Sequence, residues 1–206
     1  MKRQVNLETW NRREHFNFFK QFDDPYYGVC VNVDCTNAYR IAKEKNVSFF
    51  LYYLYQAAAA ANVIEPFKYR LEEDSVVVYD VIDIGSTIGR DNGTFGFMHL
   101  SYRPSFDEFI PEASAEVARV KHTTDLVRTS VNNLIRCSAL PWIDFTSLSH
   151  ASHSLFKDSC PKVSFGKMTE NNSKRSMPVS VHVNHALVDG LHVGQYIECF
   201  QEKMNG

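Results

Sequence analysis

The longest apolar run of this chain, Phe49 to Ile64, restricts its possible folds more than any other segment. The run is shorter than the roughly 20 residues that cross a bilayer, and it contains Gln56, Asn62 and three tyrosines. Its alanines, Ala57 to Ala61, favour a helix. Because a helix that is apolar on every side has to be buried, we predict a central core helix and no membrane partner.

Predicted helices and strands alternate irregularly around this core helix. Apolar periodicity predicts helices at 7–22, 36–45, 48–62, 105–121 and 190–204. It predicts strands at 29–33, 76–79, 81–88, 94–102, 134–139 and 163–168, and a further strand that ends at His185. Thr36 is expected to cap the second helix, and Pro111 to kink the fourth or shift its start. Without a regular strand–helix–strand repeat, the pattern predicts an α/β two-layer sandwich with a mixed β-sheet, in one domain over 1–206.

The composition excludes several classes of function. Net charge is −2, with both signs interspersed, so no basic stripe predicts nucleic-acid binding. The N-terminus has no apolar segment typical of a signal peptide. Five cysteines without CxxC spacing are typical of reduced thiols, and they predict a cytoplasmic protein. The 15 phenylalanines and 10 tyrosines suit an aromatic core or a pocket for a flat ligand.

The candidate functional motif follows a strand near the C-terminus. Val179, Val181 and Val183 alternate along one strand face, and the strand leads directly into His185. Asp189 and Gly190 follow and begin the last predicted helix. A histidine titrates near neutral pH, so this position suits a general acid or base.

Three other interpretations of His185 compete with catalysis. In the first interpretation, His185 is a core histidine and Asp189 only caps the last helix. A metal site would join His182, His185, Asp189 and His192, but residues three apart on a strand point to opposite faces. A hydrolase would require a nucleophilic serine, and the chain has no G-x-S-x-G elbow. The pattern alone leaves catalysis and the core interpretation open.

Four stretches resemble the chloramphenicol acetyltransferase family. The stretch from His185 to Gly190 matches the H-x-x-x-D-G signature, which dihydrolipoamide acyltransferases share. Residues 10–16 resemble the family's W-x-R-[RK]-E-H-F helix, residues 138–145 its S-A-x-P-W-x-x-F segment, and residues 189–194 its D-G-F-H-V-[GA] continuation. Since these matches occur in the family's order from one end to the other, the resemblance covers nearly the whole chain.

The resemblance implies a fold of the CoA-dependent acyltransferase superfamily and an acetyl-CoA-dependent O-acetyltransferase. His185 would be the general base that takes the proton of an acceptor hydroxyl, and chloramphenicol is the leading acceptor. Ser138 would donate a hydrogen bond to the oxyanion of the tetrahedral intermediate; otherwise it is a strand hydroxyl bonded to backbone. Acetyl-CoA is the co-substrate, and no metal is implied.

The resemblance assigns supporting roles to further residues. Asp189 would pair with Arg12, which is otherwise part of a solvated helix face, and so tie the first helix to the histidine segment. Ser164 stands at the place of a threonine that holds a water near the intermediate. Lys167 would lie at the CoA end of the site, although exposed lysines are commonly only solvated. Phe19 and Phe95 fall at aromatic pocket positions, where core packing is the alternative.

Departures from the family pattern concentrate at the acceptor wall. Asn184 precedes the histidine where a second histidine is usual, and Arg136 replaces a neutral residue two positions before Ser138. We therefore keep two alternatives: another small hydroxyl or amine acceptor, for example one with an anionic group that faces Arg136, and a non-catalytic relative that binds CoA or a small molecule. The resemblance also implies a homotrimer, with each site between two subunits.

Overall fold

The computed structural model describes residues 1–73, 75–151 and 158–206, which form helices and strands in mixed order. Its α-helices are α1 Arg13–Phe19, α2 Thr36–Glu44, α3 Phe49–Val63, α4 Phe106–His122 and α5 Gly190–Asn205, and a 3₁₀ helix covers Glu65–Lys68. Its strands are β1 Lys2–Gln4, β2 Tyr26–Asp34, β3 Tyr69–Glu72, β4 Ser75–Tyr79, β5 Asp83–Gly89, β6 Phe95–Leu100, β7 Leu134–Ala139, β8 Lys162–Phe165, β9 Thr169–Asn171 and β10 Lys174–Asn184.

The main sheet is mixed, as predicted. Its strand order is β2-β10-β8-β7-β5-β6, and β9 pairs with the beginning of β10. Strand β7 runs parallel to both of its neighbours, whereas the other pairs are antiparallel. The α/β architecture with a mixed sheet is therefore confirmed.

The two faces of the main sheet differ in polarity. One face carries residues such as Ile84, Ile135, Val163 and Val181, which are fully buried in the core. The alternate positions of the same strands form the other face, which is rich in serine, histidine and cationic side chains. We call it the polar face.

Helix α3 is the centre of the core. Four of its alanines are completely inaccessible to solvent. Apolar residues lie on all sides of this helix, so it has no distinct polar face. It packs against α5, where the Tyr196 hydroxyl donates to the carbonyl of Ala57 at 3.4 Å. Among the residues that the structure describes, no helix is long and apolar enough to span a bilayer.

A second, three-stranded sheet was not predicted. Its order is β1-β4-β3, so the predicted strand 76–79 belongs to it and not to the main sheet. Strand β1 is missed because its three polar residues are exposed and show no apolar alternation. Strand β3 is missed because it is only four residues long and lies directly between a 3₁₀ turn and a hairpin.

The predicted first helix, 7–22, is too long. It begins at Arg13, after a series of turns, because Trp10 packs edge-on against Tyr69 of β3 at 5.4 Å between ring centroids. Burial of Trp10 thus comes from the small sheet and not from a helical stripe. Thr36 is the first residue of α2 and does not cap it, since Cys35 occupies the cap position. Pro111 lies inside α4, which starts at Phe106 with Ser105 as its cap.

Candidate active site

A tight turn after β10 positions His185. The backbone N–H of His185 donates to the carbonyl of Pro25 at 2.8 Å, which fixes it to the start of β2. Asn184 accepts from Ala186 N–H through its side-chain oxygen at 3.0 Å, and its carbonyl accepts from Leu187 and Val188. These bonds present the histidine on a rigid support at the end of the sheet.

The placement of Asn184 differs from the prediction. We expected its side chain to line the acceptor wall, but it is only 2% exposed. Its amide oxygen satisfies a main-chain donor of the turn, an arrangement typical of asparagine. Asn184 therefore shapes the turn that carries His185.

Two aromatic rings enclose the His185 imidazole. Phe19 of α1 stacks on it with a centroid separation of 4.0 Å and an interplanar angle of 9°. Tyr27 of β2 lies at 4.4 Å and is tilted. One third of the histidine side chain remains exposed. The predicted pocket residue Phe19 therefore does contact the predicted base.

The two imidazole nitrogens of His185 have different surroundings. Nδ1 is buried and lies 3.4 Å from Oδ1 of Asp189. A proton on Nδ1, facing this carboxylate, leaves Nε2 as the nitrogen that accepts a proton. The resemblance implied a contact of Asp189 with Arg12. The structure places the Asp189 carboxylate against both Arg12 and His185.

Arg12 and Asp189 form the expected ion pair. Both guanidinium NH₂ groups contact the carboxylate, Nη2 at 2.9 Å, and Nη2 also donates to the carbonyl of His185 at 3.3 Å. Burial alone would raise the pKa of Asp189, but the hydrogen bonds and charge of Arg12 outweigh it and lower that pKa. Arg12 is buried and the adjacent Arg13 is exposed, in agreement with the assignment of the ion pair to Arg12.

Asp189 also begins helix α5. Its backbone N–H donates to Nδ1 of His192 at 3.0 Å, and its carbonyl accepts from Val193 N–H. The capping interpretation and the ion pair are thus compatible. The metal interpretation gains no support, since the described residues contain no group of three His, Cys, Asp or Glu side chains arranged for a metal ion.

The predicted serines lie side by side on the polar face. Ser138 of β7 is in register with Ser164 of β8, which is in register with Ser180 of β10. We call these three residues the hydroxyl row. The Ser164 hydroxyl is buried and has no hydrogen-bond partner within the described parts of the chain. An unsatisfied hydroxyl of this kind is well placed to hold a water molecule.

One chain does not bring the hydroxyl row to His185. Ser138 lies two strands away from β10, and His185 lies five residues beyond Ser180. At about 3.3 Å per residue and about 4.8 Å per strand, the two backbones are roughly 19 Å apart. A hydrogen bond or a proton transfer requires about 3 Å. His185 and Ser138 of the same chain therefore cannot act on one reacting centre.

The remaining predicted residues lie on the side of the hydroxyl row. Arg136 is on the polar face two residues before Ser138. Lys167 is exposed just after β8, and its N–H donates to the carbonyl of Ile143. Phe95 is 47% exposed on the edge strand β6, edge-on to Phe97 at 5.6 Å. None of these three contacts the base end, which we define as His185, Asp189, Arg12 and Phe19.

Sequence reasoning missed Tyr27, which borders the base end. Burial, and secondarily the charge of Asp189, raises its pKa to about 12. Its hydroxyl is buried and finds no partner among the described residues. The sequence could indicate only that Tyr27 lies near the start of a strand. The pairing of Tyr27 with Val183, and the contact of its ring with His185, are visible only in the structure.

Comparison with known proteins agrees with this geometry. The profile of the family described as "Chloramphenicol acetyltransferase" matches residues 2–201. The chain is 26% identical to chloramphenicol acetyltransferase 3 of Escherichia coli over 97% of this chain and 95% of that protein. It is 27% identical to the chloramphenicol acetyltransferase of Bacillus pumilus, over 93% and 88%.

Solved structures show the same relationship. A chloramphenicol acetyltransferase with 32% identity superimposes with a TM-score of 0.91, covering 99% of this chain and 100% of the other. A probable dihydrolipoamide acetyltransferase from Listeria monocytogenes, 13% identical, shares only the fold, with a TM-score of 0.66 and coverage of 98% and 94%. The H-x-x-x-D-G stretch, the Arg12–Asp189 pair and the mixed sheet thus occur in a chain that belongs to the chloramphenicol acetyltransferase family.

Proposed function

We propose that this chain is an acetyl-CoA-dependent O-acetyltransferase that transfers acetyl directly to a hydroxyl of chloramphenicol or a related small molecule. The observation that supports this best is the base end: a histidine at a rigid strand end, with one nitrogen against a carboxylate and the other open. Family membership over residues 2–201 supports acetyl-CoA as the co-substrate and a single acetyltransferase domain over residues 1–206.

His185 is the proposed general base. Nε2 takes the proton of the acceptor hydroxyl as its oxygen attacks the thioester carbonyl of acetyl-CoA. The Asp189 carboxylate beside Nδ1 stabilises the imidazolium that forms. When the intermediate collapses, the CoA sulfur leaves and takes this proton, so the base is regenerated. Holding both substrates together removes the need for an acetylated enzyme.

Ser138 is the proposed donor to the oxyanion of the tetrahedral intermediate. Such a donor contributes most when it is fixed before the reaction starts, and Ser138 is held within the paired strand β7. Ser164, its neighbour in register, is proposed to hold a water beside the intermediate, as its unpartnered hydroxyl suggests. Lys167 is proposed to lie on the CoA side of the hydroxyl row.

A second copy of the chain is needed to complete this site. Since His185 and Ser138 of one chain are roughly 19 Å apart, we propose that each site combines the base end of one copy with the hydroxyl row of the next. Repeating the same contact closes a ring with one such site between each pair of neighbours, and the family resemblance makes a homotrimer the ring that we propose. The exposed Phe18 and Phe22, which pack on Phe19 beside the base, are available for the contact.

Thiol release tests the activity. The protein is mixed with acetyl-CoA and chloramphenicol, and free CoA thiol is followed with time. We expect release that disappears in His185→Ala, with His15→Ala, an exposed histidine of α1, as the matched control. CoA binding without release by any hydroxyl acceptor would favour the non-catalytic alternative, whereas release unaffected by His185→Ala would refute the assigned base.

Subunit mixing tests the shared site. His185→Ala and Ser138→Ala chains, each inactive alone, are co-expressed in equal amounts and purified together. Each site draws its histidine and its serine from different chains, so about a quarter of the sites are intact and about a quarter of the activity returns. No recovery in mixed oligomers, or a monomer in sedimentation, would refute the arrangement. A cytoplasmic location remains a prediction from the cysteines.

A further inference from the structure

A row of basic side chains lies next to the hydroxyl row on the polar face. Arg136 of β7 is in register with Lys162 of β8, and Lys162 with His182 of β10. We call these three residues the cation row; its positive charge comes from Arg136 and Lys162, because burial, and secondarily the charge of Lys162, lowers the pKa of His182. Each lies two residues from a serine of the hydroxyl row on its own strand, so the two rows are adjacent and face the same side.

The cation row is only partly neutralised. Asp158 is the one carboxylate within ion-pair distance of Arg136 (3.4 Å), Lys162 (3.8 Å) and Arg128 (3.9 Å) in the described part of the chain. Burial raises the pKa of Asp158, but Arg136, a backbone donor and the neighbouring cations lower it overall. Three cations thus share one ionised carboxylate, and the surroundings keep an excess of positive charge.

Hydrogen-bonding capacity is also left over. The Nε–H of Arg136 is buried and has no hydrogen-bond partner among the described residues, because Asp158, although its Oδ2 lies 3.4 Å from Nε, is not aligned with the N–H. A buried donor on a charged group is costly unless something accepts from it. An anion that approached Arg136 would supply that acceptor and would balance the charge.

A cavity opens at the end of the cation row. It measures about 210 Å³ and is bordered by Lys162 and His182, by Asp24 just before β2, by Tyr26, Tyr27 and Gly28 of β2, and by Ser149 and His150. Gly28 leaves room for the His182 ring on one side of this cavity, since a Cβ atom there would overlap the ring. The Lys162 ammonium lies over the Tyr26 ring at 4.1 Å, so its position is fixed.

The cation row suits two kinds of anion, namely the phosphates of CoA and an acidic group of the acceptor. Along β8, Lys162 lies two residues before Ser164, whereas Lys167 lies three residues after it. The two lysines are therefore on opposite sides of the hydroxyl row. Because Lys167 is proposed to lie on the CoA side of the hydroxyl row, the cation row lies on the acceptor side of it.

We propose that the cation row binds an anionic group of the acceptor, so that this chain prefers hydroxyl acceptors that carry a carboxylate or a phosphate. This rests on the proposed acetyltransferase function. It identifies the class of acceptor: a small molecule with its hydroxyl at His185 of one copy and its acidic group at Arg136 and Lys162 of the next copy.

A matched pair of acceptors tests the preference. 4-(Hydroxymethyl)benzoate and its methyl ester share one hydroxyl and one ring and differ in charge. We expect wild type to favour the carboxylate by about tenfold in kcat/KM, because a charge-assisted hydrogen bond contributes about that factor or more. In Arg136→Gln the preference should disappear through a higher KM for the carboxylate, while exposed Arg40→Gln of α2 should retain it.

Binding without turnover separates this proposal from the proposed function. Benzoate and benzamide have nearly the same shape, and calorimetry compares their affinities in wild type, Arg136→Gln and Lys162→Gln. We expect benzoate to bind about tenfold more tightly than benzamide to wild type only. Lys162→Gln serves as the second variant should Arg136→Gln not fold, which circular dichroism shows.

Three results decide between the possibilities. Equal handling of charged and neutral partners by wild type, or a preference unchanged in both variants, overturns the proposal. Weaker CoA binding in Arg136→Gln with the acceptor preference intact assigns the row to CoA phosphates and also overturns it. Benzoate binding that depends on Arg136, without thiol release from any acceptor, supports the anion site and refutes the acetyltransferase function instead.

Discussion

Replacing Arg12 by methionine should lower stability and activity together. Methionine keeps most of the apolar stem of Arg12 but removes the charge that pairs with Asp189 and the donor to the His185 carbonyl. The mutation therefore leaves a partly buried carboxylate without its partner and frees one side of the turn that carries the base. Arg13→Met is the matched control, since Arg13 is exposed and forms a surface ion pair with its neighbour Glu14.

The size of the effect follows from the exposure of the two partners. Breaking a fully buried pair costs about 3–5 kcal/mol, and an exposed pair contributes about 0–1 kcal/mol. The Arg12 side chain is 9% exposed and that of Asp189 is 32% exposed, so the loss should be intermediate. We expect about 2 kcal/mol, which corresponds to a fall of about 4–8 °C in Tm for a chain of this size.

The pH dependence provides a second, independent readout. The pKa of Asp189 is lowered in the folded protein, so the pair stabilises above the unfolded value of about 3.9 and this contribution is lost as pH falls through the folded pKa. Wild type and Arg12→Met should therefore differ in Tm at pH 7 and converge below about pH 4.

Thermal denaturation and thiol release measure the two effects on the same samples. Activity of Arg12→Met should fall mainly in kcat, because the base is displaced while the acceptor wall is untouched. A Tm equal to that of the Arg13→Met control, or a difference from wild type that persists unchanged at acid pH, would refute the reasoning.

Three further substitutions probe the surroundings of the base. Gly28→Ala should destabilise by about 1–3 kcal/mol in urea denaturation, because its Cβ would lie 2.3 Å from the His182 ring; an unchanged midpoint would contradict this contact. Tyr27→Phe should be neutral or stabilising by up to about 1 kcal/mol in the same assay, since its buried hydroxyl has no hydrogen-bond partner in the parts of the chain that the structure describes, and a large loss of stability would reveal such a partner. Asn184→Ala should cost about 1–2 kcal/mol and lower kcat as the Ala186 N–H loses its acceptor; full activity at normal stability would argue against the turn's role.

Clear sequence patterns made part of the fold predictable. Strand β7 was predicted at 134–139, as observed, because apolar and polar residues alternate along it, and α3 was displaced by only one residue, because it is a long apolar run. The small sheet was not predicted because β1 is polar and pairs with a strand distant in sequence, and because β3 is only four residues long.

The site was predictable in residues but not in arrangement. Resemblance supplied the Arg12–Asp189 pair, and strand alternation places Arg136 and Ser138 on one face. Alternation does not determine register, however, and one residue of slip would change every cross-strand neighbour. The adjacency of Ser138 and Ser164, and that of Arg136 and Lys162, therefore emerges only from the paired strands.

The placement of α3 has a consequence for biosynthesis. This helix, apolar all round, is complete by residue 63, whereas its main partner α5 begins only at residue 190. Until α5 is made, the side of α3 that α5 covers stays exposed on the nascent chain, which favours aggregation or capture by a chaperone. Messenger RNAs truncated before codon 190 should therefore yield insoluble or degraded protein. Only chains that extend through α5 should accumulate in folded form.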